Sequence, residues 1–240
     1  MPVLYSYTAM IPSILPSTGP IGVFDSGYGG LTILDKIRGL MPEYDYIYLG
    51  DSARCPYGPR SFEVVYEFTL QAVSKLFELG CPLVILACNT ASAKALRTIQ
   101  QINLPVIDAT RRVLGVIRPT AECIGEITRS RHVGILATAG TIKSESYLLE
   151  IHKLSPDIVV TGEACPMWVS LVENNEYQSE GADYFVKQHI NRLLDKDPMI
   201  DTIILGCTHY PLLLDKIRQF TPEPIRIISQ GEYVARSLRD

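Results

Sequence analysis

The chain has 240 residues, of which 47% are hydrophobic and 20% charged, with a formal net charge of −4. That is enough apolar material for a sizeable core, in one large domain or two modest ones. No run of clustered Lys and Arg marks a nucleic-acid surface, and the longest apolar stretches, such as Leu83 to Ala87, are strand-sized and far short of a membrane span.

The first nineteen residues hold Pro2, Pro12 and Pro16 but no Lys or Arg. A secretory signal needs a basic start and an unbroken apolar middle, so this stretch reads as a loose N-terminal extension. From Pro20 onward, short apolar runs alternate with segments of helical period. Ile21 to Phe24 reads as a strand and Gly29 to Leu40 as a helix, with Leu31, Leu34, Ile37 and Leu40 on one face. Tyr46 to Leu49 is a second strand, Phe62 to Leu79 a helix, Leu83 to Ala87 a third strand, Ala91 to Ile102 a helix, and Val106-Ile107 a further short strand. The second half repeats the scheme. Val133 to Leu136 is a strand, Ile142 to Ile151 a helix, Ile158 to Thr161 a strand and Asp183 to Leu194 a helix. Thr202 to Leu205 is the next strand, Leu212 to Gln219 a helix and Ile225 to Ile228 a last strand. Such alternation predicts an α/β fold, with mostly parallel sheets covered by helices on both faces.

The halves also match in detail. Ile21-Gly-Val-Phe-Asp-Ser-Gly27 is echoed by Val133-Gly-Ile-Leu-Ala-Thr-Ala139, and Val84-Ile-Leu-Ala-Cys-Asn-Thr90 by Ile203-Ile-Leu-Gly-Cys-Thr-His209. The repeat predicts two α/β units related by a pseudo-twofold axis. Each carries a cysteine just past the C-terminal end of an apolar strand, where open α/β sheets place their ligands.

Six cysteines stand at positions 55, 81, 88, 123, 165 and 207. None forms a C-x-x-C pair, and their scatter fits reduced thiols in a cytoplasmic protein better than a disulfide framework. A cysteine after a Val/Ile/Leu run is ordinarily a small core hydrophobe. Cys88 and Cys207 depart from that rule because Asn89-Thr90 and Thr208-His209 turn polar at once, as a strand does on reaching a cleft. Cys81 and Cys165, each before a proline, and Cys123 in a helical stretch keep the structural reading. Cys55, in the Arg54-Cys55-Pro56-Tyr57-Gly58 loop, falls near the cleft but reads as a bystander. Asp25-Ser26-Gly27-Tyr28-Gly29-Gly30 opens a helix with a glycine pattern that is neither a dinucleotide fingerprint nor a P-loop. Its amides and Ser26 hydroxyl suit a carboxylate, besides any capping role. Glu173, at the end of an apolar stretch, reads on pattern alone as a solvated carboxylate.

Taken together, five ordered segments resemble the glutamate racemases of the cofactor-independent aspartate/glutamate racemase superfamily. They are Ile21 to Leu31, Gly50-Asp51, Pro56-Tyr57-Gly58, Cys88-Asn-Thr-Ala-Ser92 and Leu205-Gly-Cys-Thr-His-Tyr-Pro211, and the likeness runs from about Pro20 to the end. The resemblance implies that Cys88 takes the Cα proton from D-glutamate and Cys207 from L-glutamate. It implies substrate contacts from Asp25, Ser26, Tyr57, Gly58, Asn89, Thr90, Thr208 and His209, with Asp25 and His209, and further Asp51 and Glu173, assisting the thiols. It also implies no cofactor and no metal, a homodimer, and a bacterial cytoplasmic enzyme supplying D-glutamate for peptidoglycan. The implied fold is two pseudo-symmetric three-layer α/β domains facing across the active-site cleft. Residues 20–111 and 217–240 would form the first and residues 112–216 the second, with residues 1–19 as an extension.

The chemistry accounts for the pair. A group that removes a proton from one face and returns it there regenerates the same enantiomer, so two opposed acid–base groups are needed. An ordinary thiol has a pKa of about 8.5, so the abstracting one must be activated by a neighbour. An aspartate racemase and a non-catalytic α/β ligand-binding module remain the alternatives. Asp108 to Glu122 is longer than the linker usual in the family.

Overall fold

The computed structural model describes residues 19–240; the expected N-terminal extension lies almost wholly outside them. Among the described residues, eight strands form two four-stranded, wholly parallel sheets. β1 (Ile21–Asp25), β2 (Tyr46–Gly50), β3 (Leu83–Leu86) and β4 (Arg112–Gly115) are ordered β2-β1-β3-β4. β5 (His132–Ala137), β6 (Val159–Ala164), β7 (Thr202–Gly206) and β8 (Arg226–Ile228) are ordered β6-β5-β7-β8. The same strand order appears twice, as the sequence repeat predicts.

Strand alternation gives each sheet two covered faces. In the first, Phe24, Val84 and Leu86 pack with Val65, Val73 and Leu76 of the helix Phe62–Glu78. Ile21, Val23, Leu83 and Ile85 pack with Ile33 and Ile37 of the helix Leu31–Leu40. In the second, Leu136, Ile203 and Leu205 meet Val186, Ile190 and Leu193 of the helix Glu180–Lys196. Val133, Ile135 and Ile204 meet Ile124 and Ile151. Cys88 continues the Val84–Leu86 series and Cys207 the Ile203–Leu205 series, so both thiols leave their sheets on equivalent faces.

The connections between the halves differ from the expected boundaries. β4 pairs with β3, Leu83 opposite Arg112, so residues 112–115 belong to the first sheet rather than to the second unit. β8 pairs with β7, Thr202 opposite Arg226, so residues 226–228 belong to the second sheet rather than to the first unit. Both are short edge strands, and in β4 Val113 alone is buried, so apolar pattern gave little to assign them by. Each is followed by a helix that crosses to the other half. Ile117, Ala121 and Ile124 of the helix Ile117–Ile127 enter the second core, while Val234 and Ala235 of the last helix, Gly231–Arg239, return to the first. The long Asp108-to-Glu122 segment is therefore an edge strand plus the start of a helix.

Three local expectations change as well. Val106-Ile107 is the end of a short helix, Leu104–Ile107, with Pro105 in its first turn, where its missing N–H costs nothing. The helix expected from Ala91 begins at Asn89 and passes through a wide turn at Ile99–Asn103. The helix expected over Ile142 to Ile151 is broken at Glu145, which takes φ 54° between Ala139–Lys143 and Ser146–Leu154.

Candidate active site

The C-terminal ends of β1, β3, β5 and β7 converge on one small cavity. Ser26, Tyr57, Gly58, Cys88, Asn89, Thr90, Cys207, Thr208 and His209 line it, together with Pro56, Thr138 and Val169. A larger, more open groove elsewhere, bordered by Lys94, Arg97, Arg118 and Glu122, holds neither thiol. The chemistry-bearing side chains are in the small one.

Cys88 sits at the N-cap of the helix Asn89–Lys94, its Sγ accepting the Ala91 N–H at 3.4 Å and lying 3.5 Å from Ser26 Oγ. Burial, joined by the negative charge of Asp25, pushes this thiol up to about 12, against the pull of the Ser26 and Ala91 donors. Asp25 is fully buried. Its carboxylate accepts the Gly27 amide at 3.0 Å and the Thr208 hydroxyl at 3.1 Å. Burial still holds the Asp25 pKa above the usual range, although the His209 charge and these donors oppose it.

Cys207 has different company. Its Sγ lies 3.8 Å from His209 Nδ1, and His209 Nε2 lies 2.5 Å from Glu173 Oε1. Burial works against charge on the imidazole, but hydrogen bonds to Cys207 and Glu173 and the charges of Cys207 and Asp25 raise its pKa to about 10. Burial of Glu173 is likewise overcome by its bonds from His209, the Tyr28 amide and Cys55, leaving its carboxyl below the ordinary value. The pattern reading of Glu173 as a solvated carboxylate is thus replaced by a partner for His209 contributed by another helix. Gly29 makes room for the ring, because a Cβ there would lie 2.5 Å from His209 Nδ1.

Other predicted residues play supporting parts. Tyr57 is buried and donates its hydroxyl to Asp51 Oδ2 at 2.5 Å, and Arg54 Nε meets the same oxygen at 2.6 Å. Asp51 thus anchors the Tyr57 loop. Gly58 packs against Thr138, and its carbonyl accepts the Gly140 amide at 3.0 Å. Thr90 Oγ1 lies 2.9 Å from Thr138 Oγ1. The Asn89 side chain is engaged by its neighbours, accepting from Tyr147 at 2.7 Å and donating to Gln230 at 2.7 Å. Thr138 was not among the expected site residues, yet the repeat pairs it with Ser26. Tyr147 and Gln230 carry no such sequence signal.

A pair of buried thiols on one cavity, one beside an imidazole–carboxylate couple and one beside an aspartate, can take and give protons on two sides of a small ligand. The serine, threonines and backbone donors of the strand ends can hold a carboxylate. Among the described residues, no helix is long and apolar enough to cross a membrane.

The family model for Asp/Glu/Hydantoin racemases matches residues 32–238. A glutamate racemase of Bacillus cereus is 41% identical over 219 residues, covering 91% of this chain and 78% of the relative. A glutamate racemase isoform from Bacillus anthracis superposes with a TM-score of 0.85 at 38% identity, over 92% of this chain and 80% of that one. The Francisella tularensis glutamate racemase in complex with D-glutamate gives 0.80 at 34% identity, over 92% and 79%. The chain belongs to the Asp/Glu/Hydantoin racemase family and groups within it with the glutamate racemases.

Proposed function

We propose that this protein interconverts L- and D-glutamate by passing the Cα proton between Cys88 and Cys207, without metal or organic cofactor. The observation that carries the reading is that the two thiols occupy the same position in the two structural repeats and open onto one cavity. The D-glutamate complex of the Francisella relative supports the choice of substrate.

In the direction from D-glutamate, the Cys88 thiolate removes the Cα proton, and the Cys207 thiol delivers a proton to the opposite face. In the reverse direction the roles exchange. Cys88 is buried, which makes its thiolate costly, and a substrate ammonium beside Asp25 offsets that cost. His209, held by Glu173, stands beside Cys207 as its charged partner. Ser26, Thr90, Thr208 and the Tyr57-Gly58 loop contact the substrate. The protein acts as a homodimer in the bacterial cytoplasm, and its product D-glutamate enters peptidoglycan.

Incubation with D-glutamate in D2O tests this. Deuterium at Cα with loss of optical rotation is expected, and unchanged substrate would refute it; aspartate run in parallel reveals the other acidic specificity. Cys88→Ala and Cys207→Ala should each lower turnover by about 10^2–10^4-fold, the usual worth of a positioned acid or base.

A further inference from the structure

Three metal-binding side chains meet at the rim of the cavity. Cys55 Sγ, a Glu173 oxygen and a His209 nitrogen all lie within 4.8 Å of one another, the only such group of three or more His, Cys, Asp or Glu donors among the described residues. They come from separate segments: the loop after β2, the end of the helix Pro166–Glu173, and the turn after β7. His209 is buried while Cys55 and Glu173 are half-buried, which leaves an approach from solvent. We propose that this cluster is an inhibitory site for a soft divalent cation, zinc or cadmium, ligated by Cys55, Glu173 and His209.

Thiolate, imidazole and carboxylate are the donors zinc takes, at about 2.3 Å for sulfur and about 2.0–2.2 Å for nitrogen and oxygen, with a fourth position open to water. Small rotations of the half-buried Cys55 and Glu173 side chains would draw the donors inward to that geometry. On binding, the ion displaces the Cys55 thiol proton and the proton between His209 Nε2 and Glu173. Two protons leave, and one cation with one thiolate, one carboxylate and a neutral imidazole makes a site of zero net charge. Neither Cys88 nor Cys207 is a ligand. The ion nevertheless replaces the His209–Glu173 contact that holds the ring beside Cys207, so the ring is positioned by the metal instead of by the carboxylate. That inhibitory consequence rests on the racemase reading; the binding site itself does not.

Cadmium titrated into the Cys88→Ala/Cys207→Ala protein should produce an ultraviolet thiolate-to-metal charge-transfer band, which adding Cys55→Ser should abolish. With both active-site thiols intact, Cys55→Ser should be less sensitive to zinc than the wild-type enzyme, each measured against its own rate in chelator. It should need at least about 10–100-fold more zinc for half-inhibition, since losing even an outer-shell partner weakens metal sites by that factor. A band that survives Cys55→Ser, or equal zinc sensitivity of the two enzymes, overturns the proposal. A Cys55-dependent band, together with a wild-type protein that leaves glutamate unchanged in D2O, would leave the metal site standing and reject the racemase reading.

Discussion

At the residue scale, the two thiols are chemically alike but differently served. Cys88 faces a buried carboxylate that discourages its ionisation, whereas Cys207 faces an imidazole that carries charge. The His209 pKa of about 10 lies above its free value of 6.5. Its pairing with Cys207 and Glu173 therefore stabilises the fold fully below about pH 6.5, and that contribution fades as pH rises through about 10. His209→Gln should accordingly be less stable than wild type in urea at about pH 6, with the gap narrowing toward about pH 10.5. A gap independent of pH would mean that the ring is neutral throughout. Residue identity alone could nominate His209, because it follows Cys207 by two positions. It could not supply Glu173 as the partner, since that contact spans 36 residues.

At the element scale, the strand ends carry the site and the turns fix the strands. Asp201, just before β7, accepts the Arg129 and Ser130 amides and the Thr128 hydroxyl at 2.7 Å each, and the Thr202 hydroxyl at 2.8 Å. It ties the entry of β5 to that of β7. These donors outweigh its partial burial and hold its carboxyl well below the usual carboxylate range. Its contribution is thus present above about pH 3.8 and is lost as pH falls below that. Asp201→Ala should cost about 1.5–3 kcal/mol in urea unfolding near neutral pH, the range for hydrogen bonds to a charged group. Racemisation per folded molecule should be unaffected, because Asp201 does not line the cavity. The strands it anchors were legible as apolar runs. The edge strands β4 and β8 were not, because a short strand with one fully buried residue carries almost no pattern.

At the scale of the whole molecule, one buried knot joins the halves behind Cys88. Gln230, just before the last helix, accepts from Asn89 and donates to Tyr147 at 2.6 Å, to the Val116 carbonyl at 3.1 Å and to Thr120 at 3.2 Å. Tyr147 in turn donates to Asn89. Truncating Gln230 leaves the buried Asn89 amide without its acceptor. Gln230→Ala should therefore lower unfolding free energy by about 1–3 kcal/mol. Because Asn89 adjoins Cys88, the kcat of the remaining folded enzyme should also fall. A variant with wild-type stability and kcat would show that water replaces the amide at no cost.

The sequence by itself determined the alternation of strands and helices, the twofold repeat, and the two cysteines at equivalent strand ends. Those are local properties, written in side-chain periodicity and in residues adjacent along the chain. The tertiary structure alone decided which half claims each edge strand, that Asn89 spends its side chain on Tyr147 and Gln230, that Asp51 anchors Tyr57, and that Cys55 and Glu173 meet His209. Each of these depends on which polar groups find partners when distant segments are buried together, and periodicity along the chain carries no record of that.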